Sequence, residues 1–101
     1  MNILPMTPDT AGTVNIASIS GTSQAVTLAK TAVNQQIMVT SAPSGAICFI
    51  EFGVAGVTAV AATGTPILPG GIYTFTVGPT VTTAAAIGSA GVIYFTCGMG
   101  A

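Results

Sequence analysis

Short runs of period two rich in Val, Ile, Thr and Ala recur along this chain at roughly ten-residue spacing, most of them bounded by Gly or Pro. No stretch repeats apolar residues at the spacing of a helix face. Thirteen Gly and six Pro leave no room for long helices, whereas β-branched residues suit a pleated, half-buried surface. Residues 35–41 alternate cleanly, with Ile37 and Val39 on one side and Gln36, Met38 and Thr40 on the other. Residues 46–53 place Cys48, Ile50 and Phe52 on one face and Ile47, Phe49 and Glu51 on the other. Both of those faces are largely apolar, which predicts a central strand or one covered on its outer side. Residues 72–77 align Tyr73, Phe75 and Val77 against Thr74 and Thr76, and residues 82–87 and 91–97 read as a closing hairpin.

Weaker strands are expected at 13–20, with Val14, Ile16 and Ile19 inward, and at 22–28 around Ala25, Val26 and Leu28. Ala42-Pro43-Ser44-Gly45, Pro69-Gly70-Gly71 and Gly78-Pro79 are turn signals. Residues 54–63 fit a strand or an irregular excursion. The expected fold is all-β: a small antiparallel β-sandwich or jelly roll of about seven or eight short strands. It forms one domain over 13–101, preceded by an extended N-terminal arm over 1–12 in which Pro5 and Pro8 hold the backbone open. Ile37, Val39, Ile50, Phe52, Tyr73, Phe75, Ile93 and Phe95 make its expected core.

Charge bounds the function. Asp9, Lys30 and Glu51 are the whole complement of charged side chains, with no Arg and no His. General acid–base catalysis needs a positioned group of tunable pKa, and a Ser, Thr or Cys nucleophile needs an adjacent base; the sequence predicts no enzyme. One Lys cannot neutralise a track of phosphates, so no nucleic-acid partner is expected. Two Cys without His cannot supply four zinc ligands, two carboxylates cannot cage calcium, and no metal or other cofactor is expected. Gly53-Val54-Ala55-Gly56 and Gly98-Met99-Gly100 open no helix and read as turns rather than phosphate cradles.

Residues 82–101 carry no charge, but their glycines and β-branched residues break the pattern of a spanning helix, and no membrane partner is expected. The start of the chain lacks the basic and apolar regions of a signal peptide, so Cys48 and Cys97 are expected as free, buried thiols. A folded chain of this mass exposes roughly 5,200 Å². With a net charge of −1 over that area, association is weakly opposed, and burial against copies of itself or a partner is the expected use of the surface. Lys30 is expected in a loop in water. Glu51 is either an outward residue beside a solvated edge or a contact to a neighbouring subunit, with Lys30 of another copy as its partner.

Several segments carry a resemblance to a family. Ser20-Gly21-Thr22-Ser23-Gln24, then Asn34-Gln35-Gln36-Ile37-Met38-Val39-Thr40, then Cys48-Phe49-Ile50-Glu51-Phe52-Gly53 resemble small virion proteins of tailed bacteriophages. So do Pro66-Ile67-Leu68-Pro69-Gly70-Gly71, Ala84-Ala85-Ala86-Ile87 and Gly91-Val92-Ile93-Tyr94-Phe95-Thr96, a likeness running over about 18–100. The resemblance implies a capsid decoration (cement) protein: a sandwich, often trimeric, on the outside of the virion, made in the host cytoplasm and bracing subunits of the major capsid protein. The chain departs from that family in its scarcity of charge and in Cys48 and Cys97. Ile3, Leu4, Pro5 and Met6 of the arm, together with Glu51, are the expected capsid or subunit contacts. The alternative is a low-copy neck, tail or host-recognition component, which exposed aromatics such as Phe49 and Tyr94 clustered at one end would mark.

Overall fold

The computed structural model describes residues 6–30, 35–43 and 45–100. Eight strands follow in chain order: β1 (Met6–Ile16), β2 (Gln24–Thr27), β3 (Gln35–Ser41), β4 (Cys48–Gly53), β5 (Thr65–Ile67), β6 (Ile72–Val77), β7 (Thr83–Gly88) and β8 (Ile93–Gly100). They build two antiparallel sheets, one in the order β1-β8-β3-β6 and the other in the order β2-β7-β4-β5. A single rule generates the arrangement. β1 pairs with β8, β2 with β7, β3 with β6 and β4 with β5, so the chain is one long hairpin doubled back at residues 54–64. Rolling that hairpin brings β8 beside β3 and β7 beside β4, which completes both sheets. The result is a jelly roll, within the expected all-β class.

The period-two runs dictate which residues face inward. Ile37, Val39, Cys48, Ile50, Ile67, Ile93, Phe95 and Cys97 are buried between the sheets, and Val14, Val26, Phe52, Tyr73, Phe75 and Val81 pack against them half-buried. Phe52 of β4 meets rings of the opposite sheet edge to face, Phe75 at 5.6 Å and Phe95 at 6.1 Å between centroids. Central strand β7 presents only the methyl groups of Ala84 and Ala86 to this core, so the bulky residues of the facing sheet have room to interdigitate. Buried polar side chains are matched: among the described residues no buried side-chain nitrogen or oxygen lacks a partner.

Turn chemistry agrees with the topology. Leu68-Pro69-Gly70-Gly71 is a type II turn linking β5 to β6, closed by a bond from the Gly71 amide to the Leu68 carbonyl at 2.9 Å. Pro supplies the fixed φ of its second position, and Gly70 stands at φ +75°, which an L side chain resists.

Four sequence expectations change, one of them the reading of Gly98-Met99-Gly100 as a turn: these residues end β8 and pair with β1. Residues 6–12, read as arm, form the first part of β1: Met6, Thr7 and Pro8 pair with Gly100, Met99 and Gly98. The register then slips before Thr13, with Ala11 in the left-handed region at φ 56°, so an irregular edge strand masqueraded as a loose terminus. The expected closing hairpin is absent, because β7 and β8 belong to different sheets and residues 89–92 carry the chain across. The turn region 64–71 also holds β5, a three-residue strand too short for its own alternation to show. Residues 54–63 are irregular, one of the two readings left open.

Phe95 is fully buried and shares the inter-sheet aromatic contact, so Phe95→Ala should cost about 3–5 kcal/mol. Against a typical total of about 5–15 kcal/mol, its denaturant midpoint should fall far below the parent's. Gly70→Ala, which alters only the turn, should cost about 1–2 kcal/mol in the same assay.

Candidate functional site

The carboxylates, the ammonium and the thiols come first, because chemistry would need them. Lys30 is half-buried, and its Nζ donates to the main-chain carbonyls of Gly78 and Val81, each at 2.7 Å. The sequence placed it in water; instead its stem lies along the sandwich and its charge ties the end of β2 to the β6–β7 connection. Glu51 lies in β4, directly opposite Ala85 of β7. β5 ends opposite Ile50, so on that side Glu51 lies just past the last paired residue, and it is half-buried on the outer face. Ile3, Leu4 and Pro5 lie outside the described residues, while Met6 pairs with Gly100 at the end of β1. The structure thus does not bring Met6 and Glu51 into one site: they belong to different sheets.

Cys48 and Cys97 are free and buried on the inner faces of opposite sheets. Burial pushes the Cys48 thiol up from its ordinary value, and a hydrogen bond with Ser41 pulls partly in the other direction. A thiol raised in this way stays protonated at neutral pH and is a poor nucleophile. Among the described residues, no group of three or more His, Cys, Asp or Glu could hold a metal ion.

What remains are surfaces. On the outer face of the β1-β8-β3-β6 sheet, one cross-strand row reads Asn15, Tyr94, Thr40, Ile72 and the next reads Thr13, Thr96, Met38, Thr74. Neither row holds a charge. The Thr13 and Thr96 hydroxyls share a hydrogen bond at 2.9 Å, and Ile72 is 66% exposed. The outer face of the other sheet is crossed by residues 54–64. Val57 packs on Gly53, the Ala59 amide donates to the Ser23 Oγ at 2.8 Å, and Gly64 lies so close to Phe49 that an added Cβ would come within 3.0 Å of the Phe49 Cβ. Ala85, on the same outer face, is fully buried. The crossing explains why both faces of 46–53 are apolar. Phe49 and Tyr94 lie on the outer faces of opposite sheets, so they form no aromatic cluster.

Edges differ more than faces do. β1 carries Pro8, Asp9 and its register slip, β2 has four residues, and β5 has three including Pro66. Each is a device that blunts an edge. β6 has six residues with neither Pro, Gly nor charge, and its outer side is unpaired among the described residues. Sequence reading missed this edge because the strand order decides which strands are edges. The available signal was the six-residue alternation itself.

No family model matches the sequence, and no curated protein matches it. Among solved structures, the fold is similar to a chain from Bacillus endospore appendages, described as a novel family of disulfide-linked pili. The TM-score is 0.57 with 19% identity, over 95% of this chain and 87% of that one. At that identity the likeness concerns the fold.

Both thiols should be silent toward an aromatic disulfide reagent in the native protein and react once denaturant unfolds it. The raised Cys48 pKa adds stability that is complete below the ordinary thiol value of 9.0 and is lost as pH rises past it, since the unfolded chain gives up its proton first. The denaturation midpoint should therefore fall between about pH 8 and about pH 10, and Cys48→Ala should flatten that fall. An equal slope in the variant would assign the dependence to other groups.

Proposed function

We propose that this chain is a structural protein, a subunit of an assembled particle that binds copies of itself and other proteins through uncharged surface. The observation that carries the reading is the outer face of the β1-β8-β3-β6 sheet, whose two described rows hold Thr, Asn, Tyr, Met and Ile and no charge. The molecule exposes 5337 Å², an ordinary area for its mass, and so gives most of a normal surface almost no means of electrostatic repulsion. The reading assigns it no catalysis: its one ammonium is occupied by two carbonyls and its thiols are enclosed.

The particle we propose is the virion of a tailed bacteriophage, with this chain on the outer shell as a decoration protein. There it would add binding energy across junctions of the major capsid protein and oppose the pressure of packaged DNA. Support comes from the sequence resemblance over about 18–100 and from the architecture, since jelly rolls are a common fold of viral capsid domains. An interface of standard size buries roughly 1,600 Å², and a few per copy would cover much of the uncharged surface.

A second reading, a filament subunit, is favoured by the fold likeness to the endospore appendage chain. That family is described as disulfide-linked. Cys48 and Cys97 are both buried, so a filament of this chain would have to be held by non-covalent contacts.

Quantitative mass spectrometry of purified virions from a phage carrying this gene, normalised to the major capsid protein, tests the proposal. A copy number of the same order as the capsid protein is expected. A few copies per particle would move the chain to the neck or tail, absence would remove the virion reading, and filaments of the purified protein in negative-stain micrographs would favour the second one.

A further inference from the structure

We infer that β6 is the self-association edge, and that two copies join there, antiparallel about a two-fold axis at Thr74, into one continuous eight-stranded sheet. The inference rests on the structural-subunit reading and names the surface it uses.

Hydrogen-bond phase carries the argument. The Ser41 amide donates to the Gly71 carbonyl at 3.1 Å, which makes that couple a hydrogen-bonded pair of the antiparallel ladder. Such pairs alternate, so Val39–Tyr73, Ile37–Phe75 and Gln35–Val77 bond across β3 and β6. On the other side of β3 the Ala42 amide reaches the Val92 carbonyl at 3.0 Å, the complementary phase. The main-chain groups of Ile72, Thr74 and Thr76 consequently point to the open side of β6. An unprotected edge of this kind is a template for another strand.

A second β6 is the strand that fits. Placed antiparallel with Thr74 opposite Thr74, it brings Ile72 opposite Thr76 and the converse. All six amides and carbonyl groups of each trio then meet a partner, giving six main-chain hydrogen bonds in total. The same register keeps the two inner faces on one side, with Tyr73 across from Phe75 of the second copy, a favourable aromatic pair. Centring on Phe75 instead would leave groups of the trio unmatched.

Area and charge agree. β6 is about 20 Å long at the usual rise, and the link 68–71 holds β5 on the same side of the sandwich. With a shortest molecular extent of 25 Å, that side offers up to about 500 Å² per copy, or about 1,000 Å² for the pair, the size of a weak but specific interface. Leu68 and Ile72, exposed by 53% and 66%, flank the turn on this side and add apolar area at its corner. No charge lies in β6 to oppose the approach.

Sedimentation equilibrium of the full chain tests this, and a dimer is expected where the phage resemblance implies a trimer. Thr74→Pro removes an amide that β3 does not use, so it should leave the circular dichroism spectrum unchanged and weaken the dimer roughly thirtyfold through the loss of two bonds. Thr74→Lys places like charges face to face across the axis and should weaken it roughly fivefold. An equimolar mixture of Thr74→Lys and Thr74→Glu should recover association, which only a two-fold contact at residue 74 predicts. A parent dimer indifferent to these changes, a parent trimer, or failure of the mixed pair would overturn the inference. A monomer that is nonetheless abundant in virions would overturn it too while leaving the structural reading intact; absence from virions with an intact dimer would do the reverse.

Discussion

The contact between the two sheets is the interaction on which this molecule depends. Phe52 comes from one sheet and packs edge to face on Phe75 and Phe95 of the other. Around that aromatic centre lie the inward rows of Ile37, Val39, Ile50 and Ile93, with Ala84 and Ala86 leaving space where the opposing side chains are large. Neither sheet buries its apolar face without the other. The contacts are also distant in sequence: Thr13 and Thr96, joined by a hydrogen bond, are 83 positions apart. A fold closed by pairing its first strand with its last must meet most of the loop-closure entropy before its core forms, and such topologies fold slowly.

Scarcity of charge has structural consequences beyond the surface. Natural sheets commonly guard their edges with lysine. This chain has one lysine and uses it to bridge carbonyls of the β6–β7 connection. Its edges are guarded instead by backbone devices: Pro8 and a register slip in β1, brevity in β2, and brevity with Pro66 in β5. β6 receives none. The contrast within one molecule separates a strand left open from three that are blunted.

Much of the local structure was legible. The alternating runs at 35–41 and 72–77 became β3 and β6 with the expected boundaries and inward faces, and the apolar double face of 46–53 correctly implied a covered central strand. The sites were less legible. Lys30 sits in a segment that looks like any polar loop, and only the folded chain brings residues 78 and 81 to it. Glu51 read either as an outward residue beside an edge or as a subunit contact, and the structure places it on the outer face of β4 one residue past its last pairing with β5. Residues 6–12 read as an arm because Pro8 and the irregular pairing with β8 hide a strand's alternation.

By itself, then, the sequence determined the all-β class, most of the inward residues, the turn at Pro69-Gly70-Gly71 and the scarcity of the charged groups that catalysis and phosphate binding require. These follow from side-chain period, backbone preference and composition, all local properties. Tertiary structure alone decided that β7 and β8 part to different sheets, that residues 54–64 reach back to Ser23 and Phe49, and that β6 stands at an unguarded edge. Strand order and edge status arise when distant segments compete for the same hydrogen-bonding partners, and no local pattern records the outcome of that competition.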